Sequence, residues 1–274
     1  MQKSHATNAS NAGKLALSAV AAAAAIGLAP AAQAADLLQL QFSDGRADVR
    51  GVENVNAVLR AVGVRASTVT IPAAVQPILK ASQTRATSAA EQKTLIASFA
   101  LNRAQLLEQI QLAGRTPEVA RGGHLGTAEG DTAPYPKVYD MQAMTPDVQA
   151  AVLNRYGRLH VNASDAGPGI DEVMTVVSGG PFTWMFVLPD ATVARLTVNR
   201  IATNGPAVRL SYPGMGTHAG YMDPKDGLIV AYAHGPERFV IRFEESTAPH
   251  AELLNTNPWV NFTGPVPTLL DKVK

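Results

Sequence analysis

Residues 172–188 read EVMTVVSGGPFTWMFVL, and this stretch decides the fold class of the chain. Two runs rich in β-branched and aromatic residues, 172–177 and 183–188, flank the turn sequence 178–181. Runs of this kind, separated by Gly and Pro, predict β-strands. Further runs follow at intervals of roughly ten residues, at 192–198, 207–212, 228–233 and 238–243. Six short strands with turns between them favour an antiparallel sandwich or barrel.

The residues between these strands predict tight connections. Asn204-Gly205 is a favoured centre of a hairpin turn, because both residues tolerate positive φ. Residues 234–237 join the last two strands, which places His234 in the turn of a second hairpin. Side chains alternate along a strand, so Trp184 and Met185 point to opposite faces, and both faces are predicted to be buried.

Residues 36–157 are predicted to be mostly helical, with two short strands at 38–42 and 64–71. A helix over 52–62 ends at Gly63. The capping box Ser88–Glu91 opens a single predicted helix of about 25 residues, and Gly114 closes it. The last predicted helix has Thr145 as its N-cap, Pro146 in its first position and Gly157 at its end.

The predicted fold class is therefore α+β, a helical N-terminal region joined to an antiparallel β sandwich or barrel. The expected divisions are a signal peptide (1–34), a mostly helical region (35–114), a Gly/Pro-rich connector (115–144), an antiparallel β domain entered by a short helix (145–250) and an extended C-terminal arm (251–274). Trp259 and Phe262 are expected to hold this arm on the sheet.

The N-terminal segment predicts export. Lys3 and Lys14 flank a polar start, residues 15–28 are apolar, and Ala32-Gln33-Ala34 supplies a cleavage signal. The apolar run is shorter than the roughly 20 residues that span a bilayer. The mature chain is therefore expected in the periplasm or outside the cell, and no membrane span is predicted.

Composition excludes several classes of function. Of the 23 basic residues, two lie in the predicted signal peptide, which leaves 21 against 22 acidic residues. A nearly neutral mature chain argues against nucleic acid as a partner. The absence of cysteine excludes disulfides, thiol nucleophiles and thiolate metal sites.

Histidine is the residue type that points to chemistry. The mature chain has five, of which His160, His218 and His234 lie in the predicted β segment. Neutral imidazole is a common ligand of zinc, iron and copper, and a small barrel can bring three strands to one ion. Asp171 and Glu172 are adjacent on one strand, so they are expected on opposite faces and not as an acid–base pair.

Glu172 and Gly179 are separated by six residues, and His160-Val161-Asn162 precedes them. Pro213-Gly214 lies shortly before His218. These spacings resemble the two metal-site motifs of the cupin superfamily.

The cupin resemblance covers residues 157–243 and implies a small β-barrel that binds a divalent metal, namely zinc, iron or manganese. The ligands that it implies are His160, Glu172 and His218, with His234 as a substitute. Three protein ligands and one open position imply a Lewis-acidic or oxygen-reactive metalloenzyme if the protein is catalytic. The chain departs from the family at Asn162, which stands in place of a second histidine, and in the nine residues between Asn162 and Glu172.

The expected partner is a small molecule, in a pocket lined by Trp184, Tyr212 and Tyr232. The alternative is a non-catalytic envelope or secreted protein that contacts another macromolecule through its β edges, the 115–137 loop and the aromatic tail. That alternative expects the three histidines of the β segment to be scattered and exposed to solvent.

Overall fold

A computed structural model describes residues 37–117, 127–128, 134–165 and 167–273. The predicted signal peptide lies outside these residues. The helices are α1 Val52–Leu59, α2 Gln76–Ala81, α3 Ala89–Ser98, α4 Arg103–Leu112 and α5 Pro146–Tyr156. None of the helices in this part of the chain has the length and apolar character needed to cross a bilayer.

The strands of the described residues are β1 Leu38–Phe42, β2 Val49–Arg50, β3 Arg65–Val69, β4 Thr127–Ala128, β5 Lys137–Asp140, β6 Val161–Ala163, β7 Asp171–Gly179, β8 Phe182–Val187, β9 Val193–Val198, β10 Ala207–Pro213, β11 His218–Tyr221, β12 Gly227–His234, β13 Arg238–Arg242, β14 Val260–Asn261 and β15 Thr268–Leu269. The predicted mixture of helices and antiparallel strands is confirmed.

Two five-stranded antiparallel sheets form the centre of the molecule. The first has the order β11-β8-β9-β1-β2, and the second has the order β3-β10-β7-β12-β5. Leu40 and Leu196 of the first sheet belong to the same buried apolar cluster as Val176 and Leu210 of the second. The pairings among the described strands close neither sheet into a barrel.

All six strands predicted between residues 172 and 243 form, but two predicted hairpins are wrong. Asn204-Gly205 connects β9 of the first sheet to β10 of the second, so it is a crossing between sheets. Pro206 follows it and has no backbone N–H to give to a ladder. His234 is the last residue of β12, paired with Asp171, and β12 has no pairing with β13 among the described strands.

The single long helix predicted between Ser88 and Gly114 is also wrong, because two helices share this stretch. The capping box of Ser88 and Glu91 opens α3, as expected. The Asn102 side chain then accepts a hydrogen bond from the Gln105 backbone, and the Gln105 side chain accepts one from the Asn102 backbone. This second capping box starts α4 and turns the chain between two helices that share one apolar pattern.

The start of α5 agrees with the prediction from sequence, and two aromatic residues of the segment 251–274 contact the body of the protein. The Thr145 hydroxyl accepts a hydrogen bond from the backbone of Val148 at the start of α5. Trp259 is buried, and its indole N–H donates to the carbonyl of Val193 at 2.9 Å. The Arg158 guanidinium lies 4.1 Å from the centre of the Phe262 ring. Both aromatic residues therefore attach the arm to the body of the protein.

Gly179 ends β7, where the chain leaves the second sheet for the first. Its φ is +72°, and a Cβ at this position would lie 2.3 Å from the Cα of Gly227. Gly179 is therefore required by the backbone conformation and by the close approach of a neighbouring strand.

The substitution Gly179→Ala is expected to destabilise the fold more than Gly45→Ala. Gly45 also has positive φ (+79°), but a Cβ there would have no atom within 4 Å. Gly45→Ala should cost about 1–2 kcal/mol through backbone strain alone, and Gly179→Ala about 1–3 kcal/mol more through overpacking. Urea unfolding of both variants measures the difference, and equal losses would contradict the steric argument.

Candidate functional site

A mutual backbone pair between His160 and His218 forms the centre of the site. The His160 N–H donates to the His218 carbonyl at 2.8 Å, and the His218 N–H donates to the His160 carbonyl at 3.0 Å. Directly opposed residues of an antiparallel pair project their side chains to the same face. The two imidazole rings accordingly lie side by side, with 4.6 Å between their centres.

Both imidazoles are oriented by the same backbone contact. Nδ1 of His160 lies 2.7 Å from the Arg158 carbonyl, and Nδ1 of His218 lies 2.7 Å from the Gly216 carbonyl. A carbonyl oxygen only accepts, so each Nδ1 carries the proton when the ring is neutral. Each Nε2 then keeps a lone pair, which is the tautomer that metal-binding histidines use.

Asn162 and Glu172 bring two further polar groups to His218. Asn162 follows His160 by two residues and so lies on the same face of its strand. Its Nδ2 donates to Glu172 Oε2 at 2.8 Å and lies 3.3 Å from His218 Nε2. His218 Nε2 is 3.6 Å from the same carboxylate oxygen. The three atoms therefore form a compact buried triangle.

Tyr135 is a further member of this polar cluster, and one atom of Asn162 is left without a partner in the described part of the chain. The Tyr135 hydroxyl donates to the other carboxylate oxygen of Glu172 at 2.8 Å. Asn162 Oδ1 is buried and has no hydrogen-bond partner among the described residues. An unsatisfied buried acceptor is costly, so this oxygen is available to a further donor or a cation.

Burial and neighbouring charges set the ionisation of the site. Burial, and then the charge of His218, lowers the pKa of His160 to about 3, so its ring is neutral at pH 7. Burial alone would raise the pKa of Glu172, but the neighbouring His218 and the hydrogen bond from Tyr135 lower it overall. Burial raises the pKa of Tyr135 well above its usual value, so the phenol keeps its proton and donates it.

These side chains line a cavity of about 40 Å³, which has room for about three water molecules. Its polar base is made by His160, Asn162, Glu172 and His218, all of which are buried. Lys137 is partly exposed at its rim, with Nζ 4.7 Å from the centre of the Tyr135 ring. The rest of the wall consists of Tyr139, Tyr156, Met174, Trp184, Tyr212, Gly220, Met222, Ile229, Phe239 and Ile241.

The structure brings most of the predicted site residues together. His160, Glu172 and His218 line this cavity, as do Trp184 and Tyr212. His234 and Tyr232 do not line it, and the Tyr232 hydroxyl donates to the Ile96 carbonyl instead. In the described part of the chain, no three side chains of the His, Asp and Glu types gather with the geometry of a metal site.

Sequence reasoning missed the contacts that Asn162 and Tyr135 make with Glu172. In the cupin pattern Asn162 is only a departure from the expected histidine, yet its side chain links Glu172 to His218. Tyr135 belongs to the connector, where nothing in the local pattern indicates a contact with β7. The histidines are 3% (His160), 3% (His218) and 0% (His234) exposed, which disagrees with the exposed histidines that the interaction-protein alternative expects.

A second buried polar cluster lies on the opposite face of β7. Asp171 forms an ion pair with Arg115, and Arg115 also donates to the Ser211 hydroxyl at 2.7 Å. His234 Nδ1 is 3.9 Å from Asp171 Oδ2. Neither ring nitrogen of His234 has a hydrogen-bond partner among the described residues. Asp171 and Glu172 therefore serve separate clusters, as the alternation of side chains predicts.

Comparison with known proteins shows similarity to solved structures, and it matches no family. No family model matches the chain, and no curated protein matches it. A solved structure of acireductone dioxygenase from Bacillus anthracis, with a cadmium ion in its active centre, is similar over 76% of this chain and 98% of that chain. The sequence identity is 12% and the TM-score is 0.49. That enzyme has a cupin fold, but similarity at this level assigns neither family nor activity to this chain.

The lowered pKa of His160 predicts that stability falls on mild acidification. The unfolded ring takes up a proton near pH 6.5, whereas the folded ring takes one up only near pH 3, so protons favour the unfolded chain between these values. The free energy of unfolding should drop by about 2 kcal/mol between pH 7 and pH 5 from this residue alone. The charged groups that act on the ring are His218, Glu172 and Arg155.

Urea unfolding of chelator-treated protein at several pH values measures this loss, and His160→Gln is the control. Glutamine does not titrate, so the variant should lose about 2 kcal/mol less over the same interval. Identical pH dependence in the two proteins would show that His160 is protonated equally in the folded and unfolded states.

Proposed function

We propose that this protein is an exported, cupin-like, small-molecule-binding protein whose polar cavity holds a divalent metal. The ligands in this proposal are Glu172 Oε2, His218 Nε2 and the side-chain oxygen of Asn162, with His160 beside them as the further candidate from the sequence. The observation that carries the proposal is the triangle of donor positions at the base of the cavity.

The dimensions of the triangle suit a small divalent ion. Its edges are 2.8 Å, 3.3 Å and 3.6 Å, measured between the Asn162 amide position, Glu172 Oε2 and His218 Nε2. Ligand atoms about 2.0–2.2 Å from one ion lie at comparable distances from each other. A rotation of the Asn162 amide by 180° exchanges Nδ2 for the unsatisfied Oδ1, which would complete a set of three donors.

The chain's own residues give this site its further properties. The carbonyls of Arg158 and Gly216 orient the two imidazoles, and the Tyr135 hydroxyl holds the Glu172 carboxylate. The aromatic walls limit the access of water. When bound, a divalent ion supplies Lewis acidity and lowers the pKa of a coordinated water.

Metal binding is tested by titrating chelator-treated protein with Zn²⁺, Fe²⁺ or Mn²⁺ in a calorimeter. Glu172→Gln and His218→Ala should each weaken binding by at least tenfold, because each removes a ligand. Asn162→Asp should tighten binding and lower the stability of the metal-free protein, because it adds a second carboxylate beside Glu172.

The matched control for metal binding is His250→Ala, which removes a histidine that does not line the polar cavity. Its affinity should equal that of the unaltered protein. Less than a tenth of an equivalent of bound metal at saturation, or equal affinities in the control and Glu172→Gln, would exclude the metal site.

Export is the other part of the proposal, supported by the basic start, the apolar run and the Ala32-Gln33-Ala34 signal. In a bacterial host, the secreted or periplasmic fraction should contain a chain that begins at Ala35, and N-terminal sequencing checks this. Recovery of the full-length chain from the cytoplasm alone would refute export without affecting the metal proposal.

A further inference from the structure

A second cavity, called here the apolar chamber, has a volume of about 570 Å³ and shares no lining residue with the polar cavity. Four separate stretches of chain converge on it, at 61–64, 186–189, 213–217 and 249–250. Its size falls within the range of about 300–1,000 Å³ that is typical of small-molecule sites.

The residues that line the apolar chamber indicate the chemical class of ligand that it would bind. Among the described residues that line it, none is Asp, Glu, Lys or Arg, and His250 is the titratable one. The Thr217 hydroxyl already donates to the Pro249 carbonyl at 2.6 Å. A charged ligand would lose part of its hydration here, and Nδ1 of His250 already lies 3.3 Å from Glu252 Oε1. Its apolar lining consists of Ala61, Val62, Val64, Phe186, Val187, Leu188, Pro189, Pro213, Met215 and Pro249.

His250 lines this chamber in a backbone conformation that L residues rarely adopt. Its φ is 55° and its ψ is 48°, which is the left-handed region. Non-glycine residues persist there when the surrounding structure holds them, and such residues are concentrated at ligand-binding and switch regions. Met215, on another side of the chamber, has a flexible side chain that adapts to different apolar shapes.

We propose that the apolar chamber is a second binding site, which takes an uncharged, mainly apolar small molecule of alkyl or aromatic character. The volume, the apolar character of the described lining residues and the left-handed backbone of His250 together support this assignment. The site is independent of the metal proposal, since the two cavities have no residue in common.

The test uses the full chain and a neutral fluorescent probe, N-phenyl-1-naphthylamine. Its fluorescence should rise and saturate at one equivalent. Ala61→Phe and Pro189→Phe place a ring into the chamber from two different segments, at positions that are exposed in the protein. Each should weaken the binding of the probe by at least tenfold, because the added ring occupies part of the volume.

Two controls locate the bound probe. Ala90→Phe adds the same ring at an exposed position of α3 outside the chamber, and Glu172→Gln alters the polar cavity; both should bind like the unaltered protein. The anionic analogue 1-anilinonaphthalene-8-sulfonate should bind at least tenfold more weakly than the neutral probe. Thermal melting confirms that each variant is folded.

Three results would overturn the proposal. These are the absence of saturable probe binding to the full chain, unchanged binding by both chamber-filling variants when they are folded, and equal affinity for the neutral and anionic probes. Loss of binding in Glu172→Gln alone would place the probe in the polar cavity and would also overturn it.

Discussion

The two hydrogen bonds between the backbones of His160 and His218 are the constraint on which the site depends. They join residues that are far apart in the sequence, and they force both imidazoles onto one face. Because each ring also donates to the carbonyl two residues before it, its orientation follows from the backbone alone. Asn162 and Glu172 lie on strands whose geometry directs their side chains toward His218. A few residues are therefore enough to build the polar base of the cavity.

Local features of the fold could be predicted from the sequence, and long-range features could not. The capping box at Ser88 and the start of α5 at Thr145 depend on residues within one helical turn, and both form as expected. The partners of a strand depend on the whole core, so Asn204-Gly205 resembles a hairpin turn although it connects two sheets. The break before α4 was missed because the apolar pattern continues through it, even though Asn102 and Gln105 carry a local capping signal.

The same distinction applies to the candidate site, where the residue types could be predicted from the sequence and most of the contacts could not. The spacing of Glu172, Gly179 and the histidines indicated which residues to follow, and His160, Glu172 and His218 do line one cavity. The contacts of Asn162 and Tyr135 with Glu172 arise from segments whose approach no local pattern encodes. His234 carries the same functional group as the other two histidines, but its strand turns it toward Asp171. The residue types therefore indicate which side chains have suitable functional groups. The face of the strand on which each residue lies determines whether it lines the polar cavity.

The opposite orientations of Asp171 and Glu172 have a consequence for how β7 finds its place. A shift of one residue along the neighbouring strands would exchange the two faces. Asp171 would then leave the Arg115 guanidinium and Glu172 would leave Tyr135 and Asn162, so buried charges on both faces would lose their partners at once. The polar contacts on the two faces of β7 therefore both disfavour folding intermediates in which this strand is paired out of register. The central strand of the second sheet is thereby a poor place for the chain to gain or lose a residue during evolution.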